Sequence, residues 1–194
     1  MYLTSVPTLL QTIFPSAIWS SAQEPRLRLT FDDGPHPDST PQLLAALKTK
    51  NLKATFFCLG QQLEKYPELH LAMKEAGHIV ANHGYAHLSG WTTDYKAYIS
   101  NLDSGAQLSD SLLYRPPYGR MTPRQYHHIK QKYKIVMWTT MPGDFDANIS
   151  KEEVKIEVRR AFIDNEIIVL HDTPTCLEKV LYALDSLTHQ SQQK

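Results

Sequence analysis

Leu27-Arg28-Leu29-Thr30-Phe31, followed by Asp32-Asp33-Gly34-Pro35, is a short apolar run that ends in two adjacent carboxylates and a turn. From here on one unit repeats: an apolar run, a polar cluster, a helix start signal and an amphipathic helix. The runs are Leu27–Phe31, Ala54–Leu59, His78–Ala81, Leu112–Tyr114, Lys134–Trp138 and Ile167–Leu170. Thr40-Pro41, Thr122-Pro123 and Thr173-Pro174 each set a hydroxyl before a proline, the pattern of an N-cap and first helical position. Ser150 with Glu153 fits a capping box, and Gly77 after Lys74-Glu75-Ala76 fits a left-handed helix stop. Leu177, Val180, Leu181, Leu184 and Leu187 share one face of a last helix, before a polar tail from His189 to Lys194.

Six strand–helix units in series predict a parallel sheet covered by helices, either open or closed into a small barrel. No Gly-rich loop follows the first strand, which removes the usual nucleotide-binding argument for an open sheet. In barrels, catalytic residues sit just after the C-terminal ends of several strands, which is where the polar clusters fall. Ahead of the first unit, Val6, Leu9, Leu10, Ile13, Phe14 and Ile18 recur at helical spacing and predict a short helix docked on the domain. The reading is one domain over 1–194, with a core of about 27–187 and a docking segment over 1–26.

The 194 residues are 42% apolar and 21% charged, enough to bury a core without disulfides or a structural metal. Disordered, collagen-like and disulfide-stapled classes are excluded. Lys+Arg and Asp+Glu both count 20, so a net charge of zero gives no case for nucleic acid or an anionic membrane. Cys58 and Cys176 form no CxxC pair; they read as an inert core thiol and a helix-start residue. No apolar stretch approaches the ~18 residues of a membrane span. No Lys or Arg precedes Arg26, so the basic start of a secretory signal is missing. These features predict a soluble, cytoplasmic protein, and no pattern specifies an oligomer.

Each polar cluster has a plain reading and a chemical one. Asp32 and Asp33 repel each other unless a cation lets one ligate while the other takes a proton; alone, Asp-Asp-Gly is better read as an Asx-turn. His83 and His87, four apart, offer two imidazoles to one metal and with Asp33 make a set that leaves positions open. In isolation they read as surface or core histidines. Arg115-Pro116-Pro117-Tyr118-Gly119-Arg120 is a stiff loop whose arginine suits a carboxylate and whose N–H past the prolines suits an oxyanion. His171 ends a strongly apolar run, where a histidine either protonates a leaving amine or simply caps a strand. His36, His70, His78, His127, His128 and His189 read as structural or solvent-facing. Trp91, Trp138 and Phe145 read equally as sugar-facing and as core.

Taken together and in this order, the clusters resemble the polysaccharide deacetylases of the NodB-homology type, carbohydrate esterase family 4. The matching motifs are Thr-Phe-Asp-Asp-Gly-Pro at 30–35, His-x-x-x-His at 83–87, Arg-Pro-Pro-Tyr-Gly at 115–119 and Val-Leu-His-Asp at 169–172, and the resemblance spans about 27–187. It implies an α/β fold, a distorted, incomplete (β/α) barrel of about seven parallel strands with outer helices. Six runs are visible, and Leu3–Ile18 is a poor candidate for the missing one. It also implies a metal-dependent hydrolase that removes N-acetyl groups from an amino-sugar polymer or oligomer, so the implied partner is an N-acetylated glycan. By position, Asp33, His83 and His87 look like metal ligands. Asp32 looks like the general base toward the metal-bound water, Arg115 like the group orienting Asp32, Tyr118 like the backbone N–H donor to the oxyanion, and His171 like the general acid. Zn2+ suits two imidazoles and one carboxylate, and Co2+, Ni2+ or Mn2+ are other ions such a site accepts.

The fourth motif, Trp138 to Asp146, departs from the family pattern. Met141 stands where the family usually has the aspartate that pairs with the acid histidine, and Phe145 replaces a tryptophan. Asp144 and Asp146 are the available substitutes. Two other readings follow: a metal-dependent amidase acting on a non-sugar amide, and a carbohydrate-binding pseudoenzyme.

Overall fold

The structure, a computed structural model, describes residues 8–22 and 24–187. Six parallel strands form one sheet: β1 Leu29–Asp32, β2 Thr55–Cys58, β3 Ile79–Asn82, β4 Leu113–Tyr114, β5 Lys134–Ile135 and β6 Ile168–His171. Their order is β5-β4-β3-β2-β1-β6. Among the described residues eight α-helices lie between or beside them: α1 Thr8–Ile13, α2 Thr40–Thr49, α3 Gly60–Lys65, α4 Pro67–Glu75, α5 Tyr95–Ala106, α6 Pro123–Ile129, α7 Lys151–Ile163 and α8 Leu177–Asp185. Every apolar run contains a strand. The sheet curls into a half-barrel, the incomplete (β/α) architecture that the motifs imply. Among the described residues no helix is long and apolar enough to cross a membrane.

The barrel has six strands among the described residues, not about seven. Where a seventh would close the sheet against β6, the chain makes only a single parallel bridge, Thr140 to Ile168. Ile18 bridges Val136 on the other side, donating to Ile135 O at 2.8 Å and accepting from Met137 N–H at 2.9 Å. The segment after β5 thus spends its hydrogen bonds on two separate neighbours and never builds a ladder.

Strand residues alternate between two cores, as a pleat requires. Leu29 and Phe31, Phe56, and Ile168 and Leu170 pack outward under α2, α7 and α8, with Leu43, Leu47, Val154, Val158 and Leu184. Phe57, Ala81 and Val169 face inward, with Tyr114, Met137 and Trp138. Burial on both faces explains why the runs read as continuously apolar. Thr30, Asp32 and His171 fall on the inward alternation, so polar groups collect at the C-terminal mouth.

Helix ends partly follow the pattern. The capping boxes Thr122/Gln125 and Ser150/Glu153 form, and Gly77 has φ 78°. Thr40 is no cap: Ser39 holds that position, and the Thr40 hydroxyl is committed to His36 N–H and Asp172. Thr173 lies in a turn ahead of α8, whose cap position is Cys176. The N-terminal helix is present as α1, but Ile13 is 49% exposed while Phe14 is buried. Val6 and the tail from His189 lie outside the described residues.

Candidate active site

Asp32 and His171 are register partners on the adjacent strands β1 and β6. The first and last strands are therefore neighbours, and both side chains leave the same end of the sheet. Beneath them lies Arg115, fully buried, its guanidinium 4.1 Å above the Phe57 ring. Its Nη1 donates to Asp32 Oδ1 and to Thr30 Oγ1, both at 2.7 Å, and its Nη2 to Met137 O at 3.1 Å. With Nε donating to Val136 O at 3.4 Å, each of the three nitrogens is engaged, which makes the buried charge tolerable. Burial opposes ionisation of Asp32, but Arg115, His83 and His171 together more than offset it and hold the carboxyl below the usual carboxylate range.

Asp33 follows with φ 77°, a left-handed backbone rare for a non-glycine. Its Oδ1 is buried and accepts no hydrogen bond. That oxygen lies 3.3 Å from His87 Nε2 and 3.7 Å from His83 Nε2. The His83 Nδ1–H donates to Arg115 O at 2.8 Å, which fixes the tautomer and turns the Nε2 lone pair to the site. Burial first and the neighbouring His83 second lower the His87 pKa, keeping that ring neutral. One atom from each of the three residues falls within 4.8 Å of the other two. An orphaned carboxylate oxygen facing two imidazole lone pairs fits a divalent cation, and zinc suits this donor set.

On the other flank, the His171 Nδ1–H donates to Asp144 Oδ1 at 2.9 Å, and the His171 backbone N–H donates to Asp144 Oδ2 at 2.7 Å. Burial disfavours the charged ring, yet the Asp144 carboxylate outweighs it and pushes the His171 pKa up to about 9. Asp144 therefore fills the place left by Met141. Asp146 instead accepts from Asn148 N–H at 2.9 Å.

Tyr118 has φ 59°. The next two amides turn back to Pro116 O and Pro117 O, while the Arg115 carbonyl behind Tyr118 is taken by His83. Among the described residues the Tyr118 N–H has no backbone partner. The phenol is exposed and packs edge-on to His87 at 4.4 Å. Trp138 is buried against Gly119, Phe145 lies 5.0 Å from the His171 ring, and Trp91 is on the surface.

A cleft of about 290 Å³ opens beside Asp33 and His87, lined also by His36, Leu59, Gln62 and Thr173 among others. His36, Leu59, Gln62 and Thr173 carry no sequence signal of their own. Asp172 is a further unassigned member. Its carboxylate accepts Ser39 Oγ at 2.5 Å and Thr40 Oγ1 at 2.6 Å, and its N–H donates to Asp32 O at 2.9 Å. It ties the loop after Asp33 to β6, and burial raises its pKa to about 6. Its position after His171 in the fourth matching motif was the one available signal.

The family model for polysaccharide deacetylases matches residues 20–137. A peptidoglycan-N-acetylglucosamine deacetylase of Bacillus cereus is 31% identical over 174 residues, 86% of this chain and 63% of the relative. The peptidoglycan-N-acetylmuramic acid deacetylase PdaC of Bacillus subtilis is 31% identical over 153 residues, 75% of this chain and 32% of the relative. This chain thus spans less than two thirds of both relatives. The crystal structure of the Bc1960 peptidoglycan N-acetylglucosamine deacetylase, in complex with a naphthalenyl N-hydroxybenzamide, superposes with a TM-score of 0.84 at 27% identity, over 95% of this chain and 90% of that one. With its four motifs gathered at one mouth of the half-barrel, the chain belongs to the polysaccharide deacetylase family.

Proposed function

We propose that residues 1–194 form one catalytic domain that hydrolyses N-acetyl groups of an amino-sugar glycan, with a divalent cation, zinc foremost, held by Asp33, His83 and His87. The observation that carries this reading is the orphaned Asp33 Oδ1 facing two imidazole Nε2 atoms, with a buried carboxylate–arginine pair and a carboxylate–histidine pair at the same mouth. The named activities of the relatives support the substrate class, with peptidoglycan first.

When bound, a divalent ion supplies Lewis-acid polarisation of the acetyl carbonyl and makes an attacking water more acidic. Asp32, kept ionised by Arg115, accepts the proton of that water. The Tyr118 N–H donates to the carbonyl oxygen as negative charge develops on it. His171, protonated through Asp144, gives its proton to the amine as the C–N bond breaks, leaving acetate and a free amino sugar. Base and acid each contribute on the order of 10²–10⁴-fold.

Acetate release from N-acetylated oligosaccharides and peptidoglycan, by metal-stripped and zinc-restored protein, tests the reading. Release that returns with zinc is expected. Silence across the panel with one zinc bound per chain would transfer the reading to the non-sugar amide or the pseudoenzyme.

A further inference from the structure

The loop after His87 and the loop after Tyr118 are fastened to each other. The Gly90 N–H donates to Arg120 O at 3.2 Å, and Gln125 Nε2 donates to Gly90 O at 3.0 Å. A Cβ on Gly90 would stand 2.5 Å from Arg120 O and 2.6 Å from Gln125 Oε1, so this approach requires glycine. Gln125 is itself fixed by the capping box of α6. Trp91 and Arg120 are therefore set side by side by a rigid frame.

The Arg120 guanidinium lies 4.9 Å from the Trp91 ring and 5.7 Å from the Tyr118 ring. Trp91 is 66% exposed and Tyr118 58%. Among the described residues no carboxylate or carbonyl pairs with that guanidinium, so its contacts are the two rings. Tyr118 also packs on His87, so the platform starts at the candidate ligand set and runs outward. An exposed indole offers a face on which the C–H side of a sugar ring stacks. An unpaired guanidinium offers a planar fork for a carboxylate. A neutral sugar does not call for the cation, and a small anion does not call for the indole.

We propose that Trp91, Arg120 and Tyr118 form a subsite for a carboxylate-bearing sugar ring in the same glycan, adjacent to the acetamido sugar that is cleaved. The inference rests on the deacetylase reading and names the class of substrate that reading leaves open.

The test is calorimetric binding to zinc-loaded Asp32→Asn protein, in which turnover is slowed at least about 10²-fold. Two N-acetylated tetrasaccharides of equal length are compared, one with carboxylates on alternate rings and one neutral. The carboxylated chain is expected to bind about fivefold tighter, the worth of one exposed charge pair. Adding Arg120→Gln removes that preference, and Trp91→Ala weakens both chains about tenfold. Lys96→Gln removes a positive charge from exposed α5 and leaves the preference intact. Equal binding of both chains, or a preference that survives Arg120→Gln, overturns the proposal. Sodium lactate competing as well as the carboxylated chain would reduce the site to an anion site and also overturn it. Binding is read without acetate release, so a failure here is distinguishable from a failure of the deacetylase reading.

Discussion

Asp144→Asn keeps the shape of the side chain at 144 and removes its charge from His171. With Asp144 in place, the His171 pKa stands at about 9, above its ordinary value of 6.5, although burial pulls the other way. Without the Asp144 charge only Asp33 and Asp32 still oppose the effect of burial, so the pKa falls toward its ordinary value. A full return to 6.5 would take the ring at pH 8 from about 90% protonated to about 3%, so about 30-fold is the largest loss of competent acid. The alkaline limb of kcat/KM should therefore move down from near pH 9. The same change appears in stability. A pKa raised on folding stabilises fully below the unfolded pKa and loses that contribution as pH rises through the folded one. Moving from 6.5 to about 9 corresponds to about 3 kcal/mol, present below pH 6.5 and gone above pH 9. Proton NMR titration of the His171 ring reads the pKa without substrate, and the pH–rate profile reads its consequence. An unmoved His171 titration in Asp144→Asn would show that Asp144 does not set the charge of that ring.

Other perturbations have equally definite outcomes. His83→Ala and His87→Ala should each lose the cation by equilibrium dialysis while their circular dichroism stays that of a folded α/β protein. Arg115→Met leaves Asp32 buried without its guanidinium; the acid limb of activity should move to higher pH, and thermal denaturation should show about 3–5 kcal/mol lost. Gly34→Ala would place a Cβ 2.3 Å from Asp172 Oδ2, so the loop carrying Asp33 must shift. A cost of about 1–3 kcal/mol should lower Tm by about 3–10 °C and weaken cation binding.

Strands β1, β2, β3 and β6 were legible because burial on both faces makes them continuous apolar runs. β4 and β5 have two residues each, and only their place in the repeat revealed them. The missing seventh strand was not legible, because the segment from Val136 to Thr140 looks like strand and yet bridges two different neighbours. Thr40-Pro41 looks like a cap, but the Thr40 hydroxyl is drawn off by a carboxylate 132 positions away. The ligand candidates were readable from ordered motifs at strand ends. The partner of His171 was not. The choice of Asp144 over Asp146 depends on Gly143, with φ 81°, turning the chain, and on Asn148 engaging Asp146. Gln62 reaches the cleft from α3, and Thr173 and His36 reach it from loops.

The proposed role of Asp32 as the base beside a cation held by its neighbours is tested by Asp32→Asn. Wild type and Asp32→Asn are loaded with zinc, their metal content is measured, and acetate release is followed on the same N-acetylated glycan. One zinc per chain is expected in both, with release slowed at least about 10²-fold in the variant. Equal release by the two proteins at equal zinc content would contradict that role.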